Sequence, residues 1–129
     1  PMYSKKNNLS ETIQSFKLEG NKGINRKIIS FLNLKNQNKT KGYKLIVNSN
    51  KSLGAIQKDS AGNASIYKTA ITVKISLLDG EKVFKEKTFD TEFTYNNIEN
   101  KFDLSQYQKD IEENLINKIL EEIFVYLTI

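Results

Sequence analysis

Apolar and polar residues alternate over 66–78 and again over 83–95, with Asp79-Gly80 between the two runs. A period of two marks a half-buried strand, and an Asp-Gly pair between two such runs marks a hairpin. The last run changes period. Leu104, Tyr107, Ile111, Leu115, Ile119, Ile123 and Leu127 recur at helical spacing, and Ile116, Leu120 and Phe124 widen the stripe. This predicts an amphipathic helix over 104–127, capped by Asp103 or by Ser105, the latter forming a capping box with Gln108.

The first half reads less cleanly. Phe16 and Leu18 sit at strand spacing within 12–19, and Gly20-Asn21-Lys22-Gly23 ends that run. Ile24, Ile28, Phe31 and Leu32 then share one helical face, with Asn21 or Asn25 as its cap. The helix ends in the polar run Lys35-Asn36-Gln37-Asn38-Lys39. Tyr43, Leu45 and Val47 open a second strand that extends through Leu53 and Ile56, with a bulge expected near Gly54. Tyr67, Thr69, Ile71, Val73, Ile75 and Leu77 form the buried face of the third strand. A three-residue loop, Asp79-Gly80-Glu81, sets Leu77 against Val83, Ile71 against Phe89 and Tyr67 against Phe93, which keeps apolar partners on one face.

The order is β-α-β-β-β-α. Burying every stripe at once needs two helices packed on one face of a four-stranded sheet, an α+β fold with the opposite face partly open. Residues 1–10 are expected to be a flexible N-terminal segment, and 11–129 a single domain. The chain opens on Pro1-Met2-Tyr3, with no charged segment ahead of an apolar run, so a mature or trimmed form is expected.

Composition narrows the chemistry. Among 129 residues there is no Cys and no His. That removes disulfides, thiol nucleophiles, imidazole bases and nearly every zinc or copper site, so no catalytic residue, no metal ligand and no cofactor is assigned. Asp90 and Glu92 share a strand face, yet no His or oxyanion donor accompanies them, and they read as surface charge. Gly20 and Gly23 precede a helix without a phosphate-loop pattern. Of Tyr3, Tyr43, Tyr67, Tyr95, Tyr107 and Tyr126, most sit on inferred core faces and are expected to pack there rather than stack on bases.

Charge is unevenly placed. Residues 1–60 hold twelve bases against three acids, and residues 61–129 hold eight against twelve, within a net +5. Arg26 is the single arginine. A lysine-rich, arginine-poor surface suits loose attraction to an anion better than forked readout of nucleic acid. By topology the first strand-to-helix loop, the β2–β3 turn and the loop before the last helix share one sheet end. Lys22, Arg26, Lys58 and Lys101 are therefore expected on one rim, beside apolar sheet edges. Such a rim suits a ligand bearing phosphates and acyl chains.

The pattern resembles the LPS-assembly lipoprotein family LptE (RlpB). Pro1-Met2-Tyr3-Ser4 resembles the segment after that family's lipidated Cys. Tyr43-Lys44-Leu45-Ile46-Val47 resembles its second strand. The run over 64–78 with Asp79-Gly80, followed by Phe93-Thr94-Tyr95-Asn96, resembles its central hairpin, and 106–127 its closing helix. The resemblance implies an LptE-like sandwich and no enzyme activity. It implies an outer-membrane lipoprotein on the periplasmic face, anchored through an N-terminal lipid whose Cys is not in this sequence. Its implied partners are an LptD-like β-barrel, which it plugs, and lipopolysaccharide, bound by basic loop residues, of which Lys58 and Lys101 match by loop position. The alternative is a generic interaction module that takes an acidic protein or nucleic acid through the basic N-terminal half.

Overall fold

A computed structural model describes residue 9 and residues 11–35 and 41–128. The elements are β1 (Ile13–Gly20), α1 (Lys22–Leu32), β2 (Tyr43–Lys58), β3 (Ala64–Asp79), β4 (Lys82–Asn96) and α2 (Lys101–Thr128). The strands form one mixed sheet in the order β1-β2-β3-β4, with β1 parallel to β2 and the other neighbours antiparallel. This is the expected α+β order. Of the segment 1–10, only Leu9 lies within the described residues, and it is buried in the core. Residues 36–40 of the expected polar loop also lie outside the described residues.

The core follows from period. Odd-numbered positions of β2 and β3 face the helices: Leu45 and Val47 lie level with Leu77 and Ile75, and Ile71 and Val73 continue the row. α1 buries Ile24, Ile28 and Leu32 against this face, and α2 buries Ile111, Ile119 and Ile123. Aliphatic rows on a pleated sheet meeting aliphatic helix stripes make a core without buried charge among the described residues.

Three local expectations need correction. The β3–β4 loop has two residues, Gly80-Glu81, with Asp79 opposite Lys82 and Gly80 at φ 66°. Glycine at the first central position supplies the positive φ that a tight hairpin needs. A bulge at Phe84 then shifts the ladder, so that Val73 faces Phe89, Ile71 faces Thr91 and Tyr67 faces Tyr95. The error is a slip of two residues. An even slip keeps every side chain on its correct face, which is why the apolar pattern did not detect it. The second correction is the cap of α2. Asn100 Oδ1 accepts from Asp103 N at 3.0 Å, so the helix starts ahead of both expected caps. The third is the bulge in β2, which lies after Ala55 rather than at Gly54.

The β1–α1 junction is built around one close approach. Gly20 has φ 90°, and a Cβ there would lie 1.9 Å from the carbonyl oxygen of Ser49. Asn21 caps α1, its Oδ1 accepting from Ile24 N at 2.9 Å. Asn25, the other expected cap, is instead buried. Its Nδ2 donates to Glu19 O at 2.9 Å, and Ser49 Oγ donates to its Oδ1 at 2.7 Å. A buried amide is tolerated here because both its ends find partners.

Candidate functional site at the distal end of the hairpin

The β2–β3 hairpin outruns β1. Gly20 is level with Ser49, so nine residues of β2 lie beyond β1, roughly 30 Å at a strand's rise. Lys58 stands at that far end. Its turn is held by Asp59, whose Oδ1 accepts from Ala61 N and Asn63 N, both at 2.9 Å. The chain leaving β4 returns to the same end: Asn97 N donates to Ser65 O and Asn97 Nδ2 to Ala64 O, both at 2.9 Å. Lys101 opens α2 a few residues later. The hairpin turn and the start of α2 are thus tied together, and Lys58 and Lys101 belong to one end of the molecule.

Lys22 and Arg26 do not join them. They lie on α1, which starts level with Ser49. Arg26 lines an open groove of about 700 Å³ between the helices, with Lys27, Phe31, Glu113, Asn117 and Leu120. The expected single rim is therefore two basic places. Strand order places the loop ends on one side of the sheet, but β1 is half the length of β2.

Apolar sheet edges are expected beside the basic residues, but Phe93 and Tyr107, expected in the core, are among the exposed rings. Phe102, beside Lys101, is 77% exposed; Phe93 is 45% exposed and Tyr107 38%. Tyr95 beneath them is buried, its hydroxyl 2.9 Å from Thr69 Oγ1, and its ring meets Tyr107 edge-on at 5.6 Å and lies parallel to Phe93 at 6.3 Å. Tyr95 and its stacked neighbour Tyr67 are packing residues, as expected; Tyr3 lies outside the described residues. Phe93 was assigned to the core on strand parity, and parity is correct. It is exposed while Phe89 and Tyr95, on the same face of the same edge strand, are buried. Phe102 carried a weak signal: it falls outside the apolar stripe of α2, where an aromatic has no core to enter.

The open face of the sheet is polar and internally paired. Lys68 bonds Glu92 at 3.4 Å, Lys74 bonds Glu86 at 3.5 Å, and Thr72 Oγ1 donates to Asp90 at 2.9 Å. Asp90 and Glu92, the carboxylates considered for acid–base chemistry, are thereby matched to β3 partners on an exposed face. The Glu86 carboxyl is held below its usual 4.5 by the Ser76 hydroxyl, which donates at 2.8 Å, and then by Lys74. Burial, and then the Glu86 charge, pushes the Tyr126 phenol up. Lys85 lies 4.7 Å from the centre of that ring and donates to the Tyr126 carbonyl at 2.9 Å.

In sequence the chain matches no protein-family model and no curated protein. In structure it is similar to a Caulobacter crescentus protein described as a lipoprotein, with a TM-score of 0.64, 18% identity, and 99% of this chain and 96% of that one covered. It is similar to rare lipoprotein B of Shewanella oneidensis, at TM-score 0.65 and 12% identity, covering 88% and 92%. A minor lipoprotein of Acinetobacter baumannii gives TM-score 0.66 at 12% identity, covering 89% and 90%. At these identities the likeness is one of fold. The fold that the resemblance to the LPS-assembly lipoproteins implies is the fold this chain has, that of the rare lipoprotein B structures.

Proposed function

We propose that this chain is a non-enzymatic outer-membrane lipoprotein component of lipopolysaccharide transport. In this reading it plugs an LptD-like barrel from the periplasmic face and contacts lipopolysaccharide while that lipid is assembled into the outer leaflet. An N-terminal lipid supplies its membrane anchor. The observation that carries the lipid contact is the distal end itself: Lys58 and Lys101 beside exposed Phe93, Phe102 and Tyr107. Lysines offer point charges to phosphates, and adjoining exposed rings offer apolar surface to acyl chains. Elsewhere on the sheet's open face, Lys68 and Lys74 are paired with Glu92 and Glu86 across strands. The fold likeness to solved lipoproteins supports the compartment.

The test is lipopolysaccharide binding by the double variant Lys58→Ala/Lys101→Ala. Affinity falls about five- to tenfold, as expected for the loss of two surface phosphate contacts, while Tm stays within about 2 °C because neither side chain supports the core. Lys22→Ala/Arg26→Ala, some 30 Å along the sheet by strand rise, leaves affinity unchanged. Equal loss in both variants would indicate general electrostatic attraction and favour the other reading, a module for an acidic protein or nucleic acid. Nucleic-acid affinity would then fall steeply with salt.

A further inference from the structure

β1 leaves much of its neighbour uncovered. Residues 50–58 of β2 pair with β3 on one side and, among the described residues, with no strand on the other, and all nine are exposed. The direction of the free groups is fixed at the last covered residue. Asn21 N donates to Ser49 O at 3.0 Å, so the residue 49 carbonyl points toward the β1 side. Alternation along the strand turns the N–H and C=O of residues 51, 53 and 55 to that same side.

The side chains here differ from those of the sheet's other edge. β4 carries Lys85 and Lys87 on its helix-facing side and Glu86, Asp90 and Glu92 on its open side, charges that discourage strand addition. Residues 52–57 of β2 have no charge and no proline. Leu53 is 46% exposed and Ile56 is 56%. A Cβ at Gly54 would meet no atom within 4 Å, and Gly54 is not in the left-handed region, so the isolated fold does not require glycine there. Glycine inside a strand marks places where another backbone comes close.

Charge selects the occupant. Lys51 and Lys58 flank the uncharged stretch, about 23 Å apart at strand rise. Lys51 also pairs with Glu112 at 3.2 Å. We propose that the 51–58 edge of β2 docks an extended segment of a partner polypeptide, apolar at alternate positions and carrying carboxylates at its ends. The segment adds to the sheet as a strand collinear with β1, its backbone bonding residues 51, 53 and 55. The docking does not rest on the lipid reading, although both use Lys58.

The experiment follows amide hydrogen exchange on the full chain. The probe is a nine-residue peptide of alternating valine and threonine with glutamate at both ends. At ten times its Kd, exchange at residues 51, 53 and 55 slows about tenfold, and the same peptide ended with lysine gives no protection. Ala55→Pro removes one edge-facing N–H, leaves the β2–β3 ladder intact and abolishes the protection. Lys58→Glu, an exposed surface change, reduces the preference for the glutamate-ended probe. Equal protection by both peptides, or by neither, overturns the proposal. Protection of these amides without peptide, rising with protein concentration alongside a dimer in sedimentation, assigns the edge to a second copy and also overturns it. Lipopolysaccharide binding by Ala55→Pro stays at the parent level, which separates this outcome from failure of the lipid reading.

Discussion

Gly20 is the residue whose identity the fold constrains most severely. It combines a left-handed φ with a backbone approach that leaves no room for a methyl group. Gly20→Ala therefore has to displace either β1 or Ser49, whose hydroxyl also bonds Asn25. The expected cost is about 2–4 kcal/mol, read as a lower midpoint in urea unfolding. Gly54→Ala meets open space and is expected to change stability by less than about 1 kcal/mol. Glu86 gives a residue-scale pH dependence. Its pKa is lowered in the folded chain, so its stabilisation is present above the unfolded value of 4.5 and fades as pH falls through the folded value. Ser76→Ala removes the largest cause, and a carbon-detected NMR titration then shows the Glu86 midpoint moving up toward 4.5. A midpoint unchanged by the substitution would leave Lys74 as the dominant partner.

At the scale of elements, the periodic segments were legible and their ends were not. The stripe on α2 and the alternation of β3 and β4 place those elements to within a few residues, because each buries a continuous face and the burial enforces the period. Ends depend instead on single polar contacts. α2 offered Asp103 and Ser105 as plausible caps, and Asn100 takes the role because its side chain reaches Asp103 N. Asn100→Ala should thus cost about 1 kcal/mol in chemical denaturation, whereas Ser105→Ala, already inside the helix, costs close to none or slightly stabilises. The hairpin register failed for a related reason. Apolar parity accepts any even slip, and the choice among slips rests on the loop conformation at Gly80 and the bulge at Phe84.

Across the whole molecule, strand length proves as consequential as strand order. One short parallel strand beside three long antiparallel ones gives a sheet whose distal half is covered by α2 without α1. The four basic residues read from topology divide accordingly. Lys58 and Lys101 belong to the distal end, and Lys22 and Arg26 to the helix pair lower down. The same shortfall of β1 leaves Leu53 and Ile56 at the surface of the half that α1 does not reach.

The amino-acid order by itself determined which faces are buried, hence the α+β class, the β-α-β-β-β-α order and the shielding of one sheet face by two helices. These follow from periodic apolar burial, which is local in sequence and large in sum. Only the tertiary structure decided which basic residues are neighbours, which apolar residues stay exposed, and which stretch of strand edge is left open. Those depend on where each strand stops relative to its partner. That stopping point is set at places such as Gly20, through one backbone contact with a residue distant in sequence, which no local pattern records.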